Sequence, residues 1–209
     1  MKYRLLICSV LSMVAMACHR LSPPPVPIFS SEQSSMILAS GPEVPMRVFK
    51  INQHADSLLL RTPSEAVNVN PEDMVLQHFT ARLLRTVQDS MSLGVGIAAP
   101  QVGILKNIIQ VQRFDKAGFP FETYLNPVIR QYSDLKQPCL EGCLSIPEQR
   151  DTTQNRAYAI LLEYDRMDGT HDIEMVEDFT AVIFQHEIDH LNGILFIDHL
   201  EKEVQDATP

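Results

Sequence analysis

Apolar positions along this chain fall into distinct patterns, each predicting a different kind of element. The first is a run from Leu5 to Ala17, interrupted only by Ser9 and Ser12 and preceded by Lys2 and Arg4. A basic start, a short apolar run and small residues at its end describe a secretory signal peptide over 1–17. The run falls short of the roughly 20 residues that a membrane-spanning helix needs. A second pattern begins after Asn70. Leu76, Phe79, Leu83, Val87 and Met91 recur every three or four residues, which puts them on one helical face. Asn70 is placed to cap this helix, Pro71 suits its first position, and Glu72 and Asp73 complement its dipole. The spacing therefore predicts an amphipathic helix over 71–91. Asn107–Gln112 and Ala157–Tyr164 are rich in Ile, Val, Leu and Tyr, as strands are, and Asp165–Gly169 reads as a turn. A further helix is predicted over Glu177–Leu191, with acidic residues at its start and Asn192-Gly193 as its stop. Helix, short strands and helix in that order imply an α+β fold with small antiparallel or mixed sheets, not a βαβ array.

Composition narrows the class. With 17 Lys+Arg against 26 Asp+Glu, the formal net charge is −9, which argues against nucleic acid as a partner because phosphate neutralisation needs clustered cations. A hydrophobic content of 45% supports one sizeable core, and the length favours a single domain. Of the four cysteines, Cys8 and Cys18 fall in the N-terminal segment, so a disulfide framework is not expected. Residues 18–45 hold six prolines and the patch Ser30-Ser31-Glu32-Gln33-Ser34-Ser35, the composition of an extended tether. Ordered structure is thus expected from Met46 to Leu200, with 201–209 as a short acidic tail. Two processing routes compete at the front: Ala15-Met16-Ala17 suits ordinary signal peptidase, whereas Cys18 directly after Ala17 resembles a bacterial lipobox and offers a lipid anchor. An exported or membrane-anchored protein is expected from this segment, and a monomer is the default assembly.

The chemistry concentrates near the C-terminus. Gln185-His186-Glu187-Ile188-Asp189-His190 carries His-Glu-x-x-His on the second helix. Four helical residues advance about 400° and about 6 Å, so His186 and His190 face the same way one turn apart and can reach one metal ion. Glu187 is adjacent to that face and can handle protons on bound water. A catalytic metal usually takes a third protein ligand, and downstream only His199 and Glu201 stand, without metalloprotease spacing. Upstream, Glu141-Gly142-Cys143-Leu144-Ser145-Ile146-Pro147 offers Cys143, a soft ligand suited to iron or zinc. Cys139, four residues earlier, is read as a small buried hydrophobe. Zinc nucleoside deaminases are excluded, since their His-x-Glu precedes a Pro-Cys-x-x-Cys.

Taken together, Gly94-Val95-Gly96-Ile97-Ala98-Ala99-Pro100-Gln101-Val102-Gly103, the segment 141–147 and the segment 185–190 resemble, in order, the three motifs of the peptide deformylase family. The resemblance runs from about Met46 to about Leu200. It implies sheets packed around a central metal-binding C-terminal helix, and hydrolytic removal of the formyl group from the formyl-methionine of a peptide. It further implies Cys143, His186 and His190 as metal ligands, with Fe(II) native to the family and Zn(II) or Ni(II) accommodated. Glu187 would serve as proton carrier, and Gln101 with the backbone N–H of Leu144 would stabilise the oxyanion. Substrate contacts are implied for Gly96, Val95, Glu141 and Arg156, with Val182 and Ile183 beside a methionine pocket. Two departures stand out. The family's Val-x-Arg element after Ile146-Pro147 is replaced by Asp151-Thr152-Thr153-Gln154-Asn155-Arg156, one residue longer, which leaves the register of Arg156 open. Export also removes the usual nascent-chain substrate. A different exported amidase or metallopeptidase, or a non-catalytic peptide binder, are the competing readings; intact Glu187 and Gln101 argue against the last.

Overall fold

Asp73, not Asn70, starts the first long helix. In the computed structural model, which describes residues 27–89 and 94–207, this helix spans Met74–Val87 and Asp73 Oδ1 accepts from both Val75 N and Leu76 N at 2.9 Å. Asn70 instead accepts from Glu72 N at 3.1 Å, which folds Pro71 and Glu72 into a turn ahead of the helix. Leu76, Phe79, Leu83 and Val87 are fully buried, as their spacing predicts, while Met91 lies outside the described residues.

In chain order the elements are α1 (Ser31–Leu38), α2 (His54–Leu60), α3 (Met74–Val87), β1 (Gly96–Ala98), a single 3₁₀ turn (Ala99–Val102), β2 (Ile108–Gln112), β3 (Phe121–Tyr132), β4 (Lys136–Cys143), β5 (Ile146–Ala157), β6 (Ala159–Asp165), β7 (His171–Glu177), α4 (Asp178–Leu191) and α5 (Phe196–Ala207). The α+β expectation holds. Five strands form an antiparallel sheet in the order β1-β2-β3-β6-β7, and β4 and β5 form a separate hairpin. Side chains alternate across a strand, so β2 feeds two cores. Ile108 packs with Ile97 and α3, whereas Ile109 and Val111 face Ala181, Phe184 and Ile188 of α4. Burial on both faces explains why β2 reads as a nearly continuous apolar run. A third, smaller core of Ile146, Leu195 and Phe196 joins the hairpin to α5.

Two expected boundaries are overturned. The Pro/Ser-rich segment is not tether throughout, because Ser30 and Gln33 form a reciprocal capping box that starts α1. Ile28, Phe29 and Ile37 are buried in the core beneath it. Arg82 of α3 is itself buried and donates to the carbonyls of Met36, Ile37, Val44 and Pro45, so it closes the C-terminal end of α1 and clamps the irregular segment that follows. Average composition hid this packing, since a handful of apolar residues and one capping pair decide it. Of the expected acidic tail, residues 201–207 are likewise the last part of α5, tied to β5 where Gln154 N donates to Glu203 Oε1 at 2.9 Å.

Candidate metal centre

α4 carries an unusual load of polar side chains through the middle of the molecule. Gln185, Glu187 and His190 are all buried on it. Gln185 is satisfied by pairing both amide groups with Ala157, accepting from its N–H at 2.9 Å and donating to its carbonyl at 3.0 Å, which fastens α4 to the end of β5. His186 and His190 come one turn apart, and Cys143 at the end of β4 meets them. One ligating atom from each of these three residues lies within 4.8 Å of the others, and Cys143 Sγ sits 3.2 Å from His190 Nε2. His186 Nδ1 donates to Glu141 Oε2 at 2.7 Å, which fixes the tautomer and turns Nε2 inward. Among the described residues, His190 Nδ1 and Glu187 Oε2 are buried polar atoms without a hydrogen-bond partner. One thiolate and two imidazoles, converging and already oriented, fit a borderline divalent metal ion.

The electrostatics match such a donor set. Burial opposes ionisation of Cys143, yet His190 and His186 beside it bring the thiol down to about 5. Burial pushes the Glu187 carboxyl up to about 7, with His186 and His190 partly offsetting it, so this group can both accept and release a proton near neutrality. Burial also works against Glu141, but His186 and Arg156 outweigh it and hold that carboxylate ionised, well below the usual range.

The centre opens into a cleft of about 810 Å³ whose walls include Val95, Gly96, Gln101, Leu144, Val182, Ile183 and Glu187. Gln101 is buried on the 3₁₀ turn, where its Oε1 accepts from Ala98 N at 2.8 Å. The amide NH₂ must therefore face the centre, with Nε2 3.2 Å from Ser145 Oγ and 3.5 Å from Cys143 Sγ. Gly96 has a reason the sequence did not reveal. A Cβ built there would stand 2.4 Å from Glu187 Oε1 and 2.8 Å from Ile183 Cγ2, so the missing side chain makes room for the Glu187 carboxylate.

Two residues expected to contact substrate, Arg156 and Glu141, are tied to each other. Arg156 does not line the cleft; it is buried behind it, with Nε and Nη2 on the two Glu141 oxygens at 2.8 and 2.9 Å and Nη1 on Asp189 Oδ2 at 2.6 Å. Glu141 borders the cleft, but its carboxylate is engaged by His186, Arg156 and Thr153. The extra residue that left Arg156 out of register is absorbed by a β-bulge, because Gln137 pairs with Arg156 while Cys139 pairs with Thr153. The cationic side chains that do face the cleft are Lys50 and Arg150. Arg150 pairs across the hairpin with Gly142, and a Cβ on that glycine would stand 3.0 Å from Arg150 Cγ, so the stem of Arg150 lies flat over it. Cys139 is a half-buried free thiol on the cleft wall, outside the cluster of ligating atoms.

Comparison with known proteins agrees with this geometry. The family model described as polypeptide deformylase matches residues 48–206. A peptide deformylase of Desulforudis audaxviator is 35% identical over 153 residues, covering 73% of this chain and 94% of that protein. Peptide deformylase 2 of Bacillus subtilis is 35% identical and covers 69% of this chain and 85% of its own length. Among solved structures, the Met-Ala-Ser-bound class I type b peptide deformylase of Acinetobacter baumannii superposes with a TM-score of 0.66 at 31% identity, over 75% of this chain and 99% of that one. Three motifs joined in one cleft, a family match across the whole catalytic body and relatives covered nearly end to end lead to one conclusion: the chain belongs to the peptide deformylase family.

Proposed function

We propose that the chain hydrolyses the formamide bond at the N-terminus of formyl-methionyl peptides, releasing formate and a free amine, with Cys143, His186 and His190 as metal ligands. The observation that carries the reading is the buried Glu187 carboxylate, wedged against Gly96 on the cleft wall beside those three residues. A divalent ion, when held by them, would lower the pKa of a water to about 7 and so supply a nucleophile at neutral pH. Glu187 is placed to accept a proton from the attacking water and to return it to the amine nitrogen as the carbon–nitrogen bond breaks. The NH₂ of Gln101 and the backbone N–H of Leu144 donate to the formyl oxygen as negative charge grows on it; losing one such donor typically costs about 10²–10³ in rate. β1 is an edge strand of its sheet, so an extended peptide can add alongside it, with the methionine side chain against Val95, Val182 and Ile183. The Met-Ala-Ser complex of the Acinetobacter baumannii relative supports a peptide of this kind as ligand.

The finer assignments are proposals too. Residues 1–17 act as an export signal and Cys18 takes a lipid anchor, supported by the basic start, the short apolar run and the Ala-Cys junction. Among the described residues no helix is long and apolar enough to cross a membrane. Residues 1–26, with the signal segment and Cys18, lie outside the described residues. Fe(II) is the family's metal, but an iron–thiolate pair oxidises readily outside the cytoplasm, so Zn(II) or Ni(II) is the metal proposed for an exported form. The protein is taken to act as a monomer. Formate release from formyl-Met-Ala-Ser by the full-length protein loaded with each metal tests the reaction. Cleavage of unformylated peptides with no formate would replace it by a peptidase. Mass spectrometry of the protein from its own envelope tests the lipid and the metal; an intact residue 1–17 segment would refute export.

A further inference from the structure

We propose that His199 of α5 is a positioning residue for the metal ligand His186, acting through Asp189, Arg156 and Glu141; the inference rests on the metal-centre reading given above. Beginning at the ligand, His186 Nδ1 meets Glu141 Oε2 at 2.7 Å, and Glu141 is gripped at both oxygens by Arg156 at 2.8 and 2.9 Å. Arg156 Nη1 then meets Asp189 Oδ2 at 2.6 Å, and His199 Nε2 meets that same oxygen at 2.8 Å. Four elements build this line: α4 gives His186 and Asp189, and β4, β5 and α5 give one side chain each.

Each link removes one freedom that the previous link leaves. An imidazole can carry its proton on either nitrogen, and only Nδ1–H leaves Nε2 free to bind a metal; the Glu141 carboxylate selects that form. A carboxylate alone can rotate, and the planar guanidinium prevents it by bonding both oxygens. The guanidinium can still tilt, and Asp189 on its far edge stops that. The side chains of Glu141 and Arg156 are each only 3% exposed, so water cannot substitute for a lost partner there. Asp189 and His199 lie toward the surface, with side chains 17% and 25% exposed, and a carboxylate that can see solvent can turn into it. A His nitrogen facing a carboxylate must donate, so His199 holds Asp189 in place. Asp189 also sits between His186 and His190 on α4, so fixing it sets the roll of that helix about its axis.

The test uses full-length protein and reads metal affinity by competition with a chromophoric chelator for Zn(II), with the visible spectrum of the Co(II)-loaded protein as a second readout. His199→Phe keeps a ring of similar shape and removes the donor, whereas His199→Gln keeps a donor. Expected are a roughly tenfold weaker Zn(II) affinity and a shifted Co(II) spectrum for His199→Phe, the scale usual for outer partners of metal ligands. His199→Gln should recover most of both, and Asp189→Asn should weaken binding at least as much as His199→Phe. A His199→Phe protein matching the wild type in affinity and spectrum overturns the proposal, as does an equal loss in His199→Phe and His199→Gln, which would make the effect one of packing. Wild-type protein that binds neither Zn(II) nor Co(II) would instead remove the metal-centre reading, and this inference with it.

Discussion

Replacing Gly96 by alanine separates catalysis from folding in a single methyl group. The added Cβ would stand 2.4 Å from Glu187 Oε1 and 2.9 Å from its carboxyl carbon, where ordinary contact begins at 3.4 Å. Glu187 must therefore withdraw by about 1 Å, since β1 is held in register against β2 from Gly96 to Ala98 and cannot retreat easily. A shift of that size in a proton carrier typically costs about 10²-fold in rate. The atoms nearest the new methyl belong to Glu187 and Ile183, not to the metal ligands, and Gly96 is not a position of positive φ, so metal binding and secondary structure should survive. The assay is formate release under saturating formyl-Met-Ala-Ser, run beside a Zn(II) titration and a thermal melt. Expected is a kcat lower by about two orders of magnitude with metal affinity within twofold of wild type. Undiminished kcat in a folded, metal-loaded Gly96→Ala protein would refute the assignment of Glu187 as proton carrier.

Further outcomes follow from other parts of the molecule. Glu187→Ala should retain the metal and lose turnover, checked by metal analysis and formate assay of the same sample. Arg156→Met leaves Glu141 buried without its counter-ion and should destabilise the protein by about 3–5 kcal/mol in chemical denaturation. Arg82→Met strips four carbonyls of their donor and should cost about 3 kcal/mol, or a melting temperature lower by about 6–12 °C, with loss of protease protection at 27–45 ahead of the body. On the far side of the sheet, Arg113 holds Asp115 low, and Lys116 with Tyr124 outweighs burial at Glu122 to hold it low as well. Depressed carboxylates contribute stability above their unfolded values of 3.8 and 4.5 that is lost as pH falls through the folded values. The melting temperature should therefore drop steeply below about pH 4, and Arg113→Met should flatten that drop.

What the sequence made legible was whatever depends on local spacing. His186 and His190 share a helical face by arithmetic alone, and the apolar stripe from Leu76 to Val87 is buried as its period requires. What escaped was decided by contacts between distant segments. The arm around α1 looked like tether because prolines and serines dominate its average, while the deciding features are one capping pair, three apolar side chains and a buried arginine from α3. Local spacing points to Pro71 as the start of α3, because Asn70 is a good cap; Asp73 competes for the same role with a charged acceptor and wins. Arg156 looked like a substrate contact by its place in the motif, and the bulge in β5 instead sends it behind the cleft to lock Glu141, leaving Arg150 at the front. Gly96 is explained by a contact that spacing does not show, since a side chain there would meet the Glu187 carboxylate.

The central claim is that Cys143, His186, His190 and Glu187 together hydrolyse a formamide. Its most direct test is formate release from formyl-Met-Ala-Ser by the full-length protein, purified anaerobically and loaded in parallel with Fe(II), Ni(II) and Zn(II). Release that a chelator abolishes, metal re-addition restores and Glu187→Ala eliminates is the predicted result. Stoichiometric metal on wild-type protein with no formate from any loaded form would contradict it.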